Sequence, residues 1–426
     1  MAGGRGTRIS SVASDIPKPM IQIGGKPVLE HLLECLKMQG FHDIIITVGH
    51  LGYVIIDYFG DGRKISPVTK EPFGVNIEYY VEEEPLGNAG ALFNLREKLT
   101  KDFLLLNADV MMNVDFKRLV AAHKNNGGLA TILTHPNDHP YDSGLVIADE
   151  NGRVIKWLAK EDERPQWYKN KVNAGIHVLS SELLNKEVET AKVDLDRQIL
   201  KPLVQLGELY AYDSPEYVKD MGTPERYESV CEDYKSGRIV AKNLKQKQKA
   251  IFLDRDGVIN KYVGFLRSID EFELIEDVVR AINKINKSDY LAIVVTNQPV
   301  IARGEVTVEK LHVIHNKMET LLGNQGAYLD AVYYCPHHPH KGYEGEVPQL
   351  KIECNCRKPK PGMLLKAAED FNIDLSQSWM VGDSENDILA GKNAGCKTVL
   401  IGKGDSDFFQ DKNALSLWEF ISEFLE

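Results

Sequence analysis

Length, composition and charge restrict the classes to which this chain can belong. It has 426 residues, of which 43% are hydrophobic and 27% are charged, and its formal net charge is −11 at pH 7. This length exceeds one ordinary core, so we expect a globular protein of two α/β domains. The acidic balance argues against nucleic-acid and anionic-membrane partners, so small anionic substrates would have to bind to local Arg, Lys, backbone amides and metal ions. The lack of a long apolar run or a leader predicts a cytoplasmic protein.

The first segment is a glycine-rich stretch followed by a lysine between two prolines. Closely spaced glycines let backbone amides approach a polyphosphate, and Arg8 and Lys18 supply positive charge, although such a stretch alone is as often an ordinary turn. The joint pattern resembles the signature of the sugar-1-phosphate nucleotidyltransferases. In that family the loop binds nucleotide phosphates, the Arg stabilises the leaving pyrophosphate and the Lys neutralises the attacking phosphate. The matching residues are Gly3, Gly4, Gly6, Thr7, Arg8 and Lys18.

Beyond this loop, helix and strand patterns alternate, as expected of an α/β domain. Apolar spacing predicts a helix over residues 28–38 and a strand over residues 43–48. Residues 82–91 are either an acidic turn that leads into a helix or, by the same resemblance, the loop that recognises the nucleotide base through Gly87 and Asn88.

Carboxylates at strand ends extend the resemblance to the nucleotidyltransferases. The family binds Mg²⁺ at the positions that match Asp109 and Asp220, and hard oxygen ligands suit this ion. Asn173 and Gly175 match the family's sugar contacts, although the glycine is also compatible with a β-bulge, and Glu161 is a further candidate contact. The resemblance implies in-line attack of a sugar phosphate on the α-phosphorus of a nucleoside triphosphate without a covalent intermediate.

A polar, basic segment without aromatic residues separates the two halves of the chain. Its composition predicts an exposed connector that is partly helical. We therefore expect a sugar nucleotidyltransferase domain over residues 1–235, a linker over residues 236–249 and a second domain over residues 250–426.

The second half opens with an apolar strand that ends in Asp254-x-Asp256-Gly257. Residues i and i+2 of a strand point the same way, so both carboxylates can share a cation and a phosphate. The pattern resembles the first motif of the haloacid dehalogenase-like phosphatases, in which the first Asp forms an aspartyl phosphate and the second is the general acid and base. The resemblance implies Mg²⁺ bound by Asp254, Asp256 and Asp383, with Asp387 nearby, and phosphate-binding groups on Thr296, Asn297, Arg357 and Lys358.

Three of the six cysteines lie near histidines in the second half, which predicts a metal site rather than a disulfide framework. These segments resemble the zinc loop of the D,D-heptose 1,7-bisphosphate phosphatases, and the histidinol phosphate phosphatases have similar loops. The match implies a closed, structural Zn²⁺ site, for which His338 and His340 are competing ligands. The implied ligands are Cys335, His337, Cys354 and Cys356.

Together, the two resemblances imply a fold and a function. The fold is α/β: a nucleotide-diphospho-sugar transferase domain with a Rossmann-like mixed sheet, then a haloacid dehalogenase-like Rossmannoid domain with a zinc loop. The function is removal of the 7-phosphate of a heptose 1,7-bisphosphate and transfer of a nucleotidyl group, GMP from GTP by pathway logic, to the heptose 1-phosphate. One alternative is a hexose or mannose 1-phosphate nucleotidyltransferase fused to a histidinol-phosphate-type phosphatase. Another makes the first half a catalytically weakened binding module.

Overall fold

The computed structural model describes residues 16–185, 192–402 and 407–425, and the chain divides into two compact units. Each unit has its own apolar core. Among the described helices, none combines the length and the apolarity that a membrane span requires. Unit 1 consists of the chain up to His135, Val146–Trp157 and Asn173–Asn243, and unit 2 consists of Pro136–Leu145, Leu158–Val172 and the chain from Leu244 onward.

The helices of unit 1 follow the apolar spacing and capping signals of the sequence. In α1 (Val28–Met38), Leu29 and Leu32 lie on a buried face, and the predicted limits of this helix are confirmed. α6 (Pro224–Lys235) begins after Thr223, whose side chain accepts a hydrogen bond from a backbone N–H of the first turn. The other helices are α2 (Gly52–Phe59), α3 (Gly90–Asn94), α4 (Phe116–Asn126), α5 (Lys201–Leu206), which follows a π-helical segment (Leu195–Leu200), and α7 (Arg238–Ala241).

The strands of unit 1 form the mixed sheet that the sequence predicts, together with separate strand pairs. They are β1 (Gln22–Ile23), β2 (Lys26–Pro27), β3 (Asp43–Val48), β4 (Asn76–Val81), β5 (Phe103–Leu106), β6 (Val110–Asn113), β7 (Ala130–His135), β8 (Leu145–Ala148), β9 (Val154–Leu158), β10 (Val172–Leu179), β11 (Leu209–Asp213) and β12 (Tyr217–Asp220). The sheet order is β11-β7-β10-β8-β9, and β5 also pairs with β10. β7 and β11 are parallel, whereas β10 is antiparallel to β5 and β8. β3 pairs with β4 in parallel and β12 pairs with β6 in antiparallel register.

Unit 2 contains a six-stranded parallel sheet in the order β15-β14-β13-β16-β17-β18. Its strands are β13 (Lys249–Leu253), β14 (Tyr290–Asn297), β15 (Ala331–Cys335), β16 (Trp379–Gly382), β17 (Lys397–Ile401) and β18 (Lys412–Ala414), and its helices are α8 (Val278–Asn286), α9 (Val308–Gly323), α10 (Gly362–Phe371), α11 (Glu385–Ala394) and α12 (Leu417–Phe424). Residues 250–253 are completely buried, as expected of a strand covered on both faces. The strand order reverses at β13, so the crevice for a ligand is expected where β13, β14 and β16 end.

The connector between the two halves is less exposed than its composition predicts. α7 lies within it, and Lys242, Asn243, Leu244 and Gln248 are buried. The backbone carbonyl of Leu244 accepts a hydrogen bond of 2.9 Å from Asn372 Nδ2. The expectation of an exposed connector is therefore wrong at these positions. At Leu244 and Gln248 the reason is hydrogen bonding of the connector backbone to Asn372, which composition does not reveal. The domain limits themselves stay a prediction.

Unit 2 also includes two short segments from the first half of the chain, which pack against α9. The backbone N–H of Tyr168 donates to Thr320 Oγ1 over 2.9 Å, and that of Asn170 donates to Glu319 Oε2 over 2.9 Å. Asn170, Glu319 and Thr320 are all buried. Composition gives no sign of this arrangement, because it depends on contacts about 150 residues apart along the chain.

Candidate active sites

The first candidate site lies in unit 2, where β13, β14 and β16 end. Asp254 follows β13 directly, and its backbone N–H donates to the carbonyl of Val381 over 2.9 Å. Lys358 Nζ lies 2.9 Å from Asp254 Oδ1 and 2.6 Å from Asp387 Oδ1. It also donates to the carbonyl of Val295 over 2.8 Å. One buried ammonium group is therefore shared by two carboxylates at the expected edge of the sheet.

Burial and like charge perturb the ionisation of these groups. Burial and the neighbouring charge of Asp387 raise the pKa of Asp254 to about 7, although Lys358 opposes this shift. The same two causes raise the pKa of Asp383 to about 6. Burial alone would lower the pKa of Lys358, but the attraction of Asp254 and Asp387 raises it above its ordinary value. Perturbed carboxylates of this kind at a sheet edge are typical of a catalytic centre.

Asp254, Asp383 and Asp387 form a group that is suited to a divalent cation. Each offers an oxygen, and these oxygens lie within 4.8 Å of one another. Hard carboxylate oxygens are the ligands that Mg²⁺ prefers, and the crowded negative charge gives a reason for a cation here. Asp387, which the sequence places only nearby, thus belongs to the group.

Asp256, the second carboxylate of the motif, has a different set of partners. Arg255 Nη2 donates to both of its oxygens, over 2.9 and 2.8 Å. Asn260 Nδ2 donates to Oδ1 and Gln298 Nε2 to Oδ2, each over 3.0 Å. The side chain of Asp256 is not part of the clustered group described above. Its role as a Mg²⁺ ligand stays a prediction. Its several hydrogen bonds fix the orientation of the carboxylate, which suits a general acid and base.

Thr296 and Asn297 lie at the end of β14, as predicted, but their side chains have partners within the protein. Asn297 Nδ2 donates to the carbonyl of Lys358, and Asn297 Oδ1 accepts from the N–H of Lys358, each over 3.0 Å. Thr296 Oγ1 accepts from Gln298 Nε2 over 2.9 Å. Asn297 therefore holds the backbone of the lysine that contacts Asp254.

The four implied zinc ligands come together in one loop of unit 2. Their donor atoms lie within 4.8 Å of one another, and the three sulfur atoms are 3.3–3.5 Å apart. The cysteines are free thiols, so the loop holds a set of metal donors rather than a disulfide. Arg357 Nη1 donates to the carbonyl of His337 over 3.2 Å, which joins a predicted phosphate-binding residue to the loop. The clustered residues are Cys335, His337, Cys354 and Cys356.

The competing histidines have other surroundings. His338 Nε2 lies 3.2 Å from Arg303 Nη2, and His338 Nδ1 lies 3.2 Å from the carbonyl of His340. Neither histidine belongs to the clustered donors among the described residues. His337 is thus the histidine that the structure brings to the cysteines.

The second candidate site lies in unit 1, where β6 and β12 pair. Asp220 is the register partner of Val110, the residue after Asp109, so the two predicted Mg²⁺ ligands lie at the same end of the strand pair. Lys18 Nζ lies 3.5 Å from Asp109 Oδ2. Both oxygens of Asp220 accept from Arg226 Nη1, over 2.9 and 2.8 Å. The structure therefore brings Lys18 and Asp109 together, and it adds an arginine at Asp220.

Gly87 and Asn88, in the segment before α3, both contact the segment around Val193. Gly87 has a φ of +76°, and a Cβ there would lie 2.5 Å from the carbonyl oxygen of Val193. Asn88 Oδ1 accepts from the N–H of Leu195 over 2.7 Å. These contacts fit a loop that is held in shape by the segment around Val193. Recognition of the nucleotide base by this loop stays a prediction.

Asn173 and Gly175 lie together in β10. Asn173 Oδ1 accepts from the N–H of Gly175 over 3.0 Å. Gly175 has a φ of +72°, and a Cβ there would lie 2.5 Å from Asn107 Nδ2. Their sugar contacts, and that of Glu161, stay predictions. The phosphate-loop residues Gly3, Gly4, Gly6, Thr7 and Arg8 lie outside the described residues.

Sequence reasoning missed several residues that contact the candidate sites, among them Asn260 and Gln298, which donate to Asp256. Asn107 is two residues before Asp109, and this i, i+2 spacing after β5 could have indicated it. Arg226 lies in the first turn of α6, six residues after Asp220, which is a weak signal. Arg255 lies between two motif carboxylates, but alternation along a strand predicts that it points away from them.

Comparison with known proteins gives separate matches for the two halves. The nucleotidyl transferase family model matches residues 1–237, and the HAD-hydrolase-like model matches residues 355–413. The D-glycero-beta-D-manno-heptose-1,7-bisphosphate 7-phosphatase of Pasteurella multocida is 45% identical over 178 residues, which are 41% of this chain and 94% of that protein.

Two solved structures are also similar. The D,D-heptose 1,7-bisphosphate phosphatase from B. bronchiseptica, complexed with magnesium and phosphate, is 32% identical and covers 42% of this chain and 98% of its own, with a TM-score of 0.37. HddC from Yersinia pseudotuberculosis is 28% identical and covers 55% of this chain and 96% of its own, with a TM-score of 0.46.

Proposed function

Because the chain belongs to the nucleotidyl transferase family in its first half and to the heptose-bisphosphate phosphatase family in its second, we propose that it performs two consecutive reactions. It removes the 7-phosphate of D-glycero-D-manno-heptose 1,7-bisphosphate. It then transfers a nucleotidyl group, GMP from GTP, to the heptose 1-phosphate and releases pyrophosphate. The observation that carries the phosphatase assignment is the buried Lys358 shared by Asp254 and Asp387.

The residues of unit 2 can divide the phosphatase reaction into two steps. An oxygen of Asp254 attacks the phosphorus, and the bond from phosphorus to the sugar oxygen breaks while Asp256 gives that oxygen a proton. Asp256 then takes a proton from water, which attacks the aspartyl phosphate and releases inorganic phosphate. Lys358 favours the ionised form of Asp254. Mg²⁺, for which Asp254, Asp383 and Asp387 are suited, would supply charge neutralisation at this centre.

The residues of unit 1 support the transfer reaction by position and charge. The sugar phosphate oxygen attacks the α-phosphorus of the nucleoside triphosphate, and pyrophosphate leaves. Lys18 can neutralise the attacking phosphate, and Asp109, 3.5 Å away, keeps its ammonium group in place. Asp109 and Asp220 provide carboxylates suited to Mg²⁺ at one end of the β6–β12 pair.

We assign the clustered cysteines and histidine of unit 2 to a structural Zn²⁺ site. Three thiolates and one imidazole match the donors of closed zinc sites, which stabilise loops and do not react. In this role the ion would fix the loop whose His337 carbonyl accepts from Arg357. The loop would then hold Arg357 and the adjacent Lys358 towards the phosphate.

The test is mass spectrometry of the chain with heptose 1,7-bisphosphate, Mg²⁺ and an equimolar mixture of the four common nucleoside triphosphates. The α and β anomers of the heptose bisphosphate are assayed separately, since the similar phosphatase of Pasteurella multocida is named for the β form. We expect heptose 1-phosphate and then GDP-heptose. The Asp254→Asn variant should form no monophosphate from the bisphosphate, but should still form GDP-heptose when heptose 1-phosphate is supplied. Absence of phosphate release from both anomers, or transfer of another base, would contradict the corresponding part of the proposal.

A further inference from the structure

Arg255 is an unusual residue for its place in the chain. It lies between Asp254 and Asp256, yet it is completely buried. Its guanidinium contacts the side chain of the next residue, Asp256. Nη2 donates to both carboxylate oxygens, and Nε donates to Oδ1 over 3.3 Å. A buried cation is costly unless it is paired, so this contact is expected to hold both partners in one geometry.

His315 of α9 lies on the other side of the guanidinium. Arg255 Nη1 is 3.3 Å from His315 Nε2, and the histidine is 6% exposed. Burial and the charges of Arg255 and His312 lower the pKa of His315 well below its ordinary value, so the ring stays neutral. With its proton on Nδ1, a neutral ring can accept from Arg255 at Nε2. The histidine can thus orient the arginine without repelling it.

Asp256 consequently has donors on both oxygens. Arg255, Asn260 and Gln298 contact its carboxylate, and its side chain remains 18% exposed. Proton transfer depends steeply on the direction of the acid group, and the exposed part is what a substrate oxygen or a water can reach. These contacts restrict the carboxylate to one orientation.

We propose that His315 and Arg255 are positioning residues, in which the histidine orients the buried arginine and the arginine aims the carboxylate of Asp256 at the leaving oxygen and then at the attacking water. This inference rests on the phosphatase function proposed above. Neither residue needs to touch the substrate. The consequence is that loss of His315 should impair the two proton transfers while leaving attack by Asp254 intact.

The test uses the full chain and two substrates. p-Nitrophenyl phosphate has a leaving group that needs little protonation, so the first step should survive in the His315→Leu variant while hydrolysis of the aspartyl phosphate slows. We expect a burst of about one p-nitrophenolate per site, accumulation of acid-stable phosphoenzyme, and a kcat for heptose bisphosphate lowered about tenfold or more at unchanged KM. His315→Gln, whose amide oxygen can accept from Arg255, should recover most of the activity.

Matched variants separate positioning from stability. His312→Leu changes an exposed histidine one turn earlier on α9. It removes only the smallest of the three causes that lower the pKa of His315, and since burial and Arg255 still keep that ring neutral, the variant should behave as the wild type. His315→Asn, whose amide is too short to reach Arg255, repeats the test if the leucine variant does not fold. A wild-type kcat in both His315→Leu and His315→Asn, equal impairment of His315→Gln and His315→Asn, or loss of the burst in folded protein would overturn the proposal. Wild-type p-nitrophenyl phosphate turnover through a phosphoenzyme tests the phosphatase function separately.

Discussion

His177 shows at the scale of one residue how burial couples stability to pH. It lies in β10 opposite Leu105 of β5 and is 2% exposed. Burial disfavours the imidazolium ion and lowers the pKa of His177 from 6.5 to about 4. The unfolded chain therefore binds this proton more readily than the folded chain. The stability that His177 contributes is complete above its unfolded pKa and is lost as the pH falls towards 4.

We predict that His177→Leu weakens the pH dependence of stability. Between pH 7 and pH 5, the free energy of unfolding should fall by about 2 kcal/mol less in the variant than in the wild type. Urea unfolding at the two pH values measures this difference. His50→Leu, at an exposed histidine, is the control and should keep the wild-type dependence. Equal pH dependence in the His177 variant would contradict the assignment.

Gly257 is a second position where one residue determines the site. It has a φ of +84°, and a Cβ there would lie 2.0 Å from Asp383 Oδ2. We predict that Gly257→Ala lowers phosphatase kcat about 100-fold or more, because the Asp383 carboxylate must move. Gly264 has a φ of +79° but no atom within 4 Å of its Cβ position, so Gly264→Ala isolates backbone strain from the clash. Steady-state assays should show a much larger decrease in phosphatase kcat for Gly257→Ala than for Gly264→Ala. Similar decreases in both variants would show that backbone strain, rather than the clash with Asp383, lowers the activity.

At the scale of an element, the metal-binding loop has little regular structure of its own. Between the end of β15 at Cys335 and the start of α10 at Gly362, the described residues contain a single short 3₁₀ turn, Pro348–Leu350. Few backbone hydrogen bonds therefore define its shape, and bound metal is expected to supply much of its folding free energy. Arg357 donates to the His337 carbonyl of this loop and directly precedes Lys358, whose ammonium group contacts Asp254.

We predict that Cys354→Ser reduces metal content and phosphatase activity together. Elemental analysis should give about one Zn²⁺ per wild-type chain and clearly less in the variant. The kcat/KM for heptose bisphosphate should fall about tenfold, whereas nucleotidyl transfer should be unchanged. Cys231→Ser is the same substitution in unit 1 and should alter neither quantity. Full phosphatase activity in metal-depleted protein would show that the loop does not need the ion.

The elements that carry the chemistry could be predicted, but many contacts between them could not. Apolar runs that end in Asp254, Asn297 and Asp383 place chemical groups on adjacent parallel strands, and periodicity reveals such runs. The hydrogen bonds of the Arg255 guanidinium to Asp256 were not predictable, because alternation along a strand indicates only the direction in which a side chain leaves the backbone. The ion pair of Arg226 with Asp220 likewise depends on how α6 leaves β12. Periodicity and spacing in the sequence do not show which partner a long side chain such as arginine contacts.

At the scale of the whole molecule, the two halves of the sequence do not correspond fully to the two compact units. Pro136–Leu145 and Leu158–Val172 belong to unit 2, although they lie within the first half of the chain. A fragment that begins at Leu244 therefore lacks part of its own unit. It loses the backbone donors of Tyr168 and Asn170 to α9, and with them the cover of Thr320 and Glu319.

We predict that this shortened chain is less stable than unit 2 in the full chain, by about 2–4 kcal/mol for two hydrogen bonds, one of them to a carboxylate, and the exposed apolar surface. The decisive measurement combines truncation with Thr320→Val, which removes the hydroxyl but keeps the shape. In the full chain this change should cost about 1–2 kcal/mol, because the N–H of Tyr168 loses its acceptor. In the fragment, where Tyr168 is absent, the same change should cost much less. Urea unfolding, monitored through the loss of phosphatase activity, gives the free energy of unfolding of the full chain and of the fragment, each with and without Thr320→Val. If the substitution lowers this free energy equally in both chains, the contact does not stabilise unit 2.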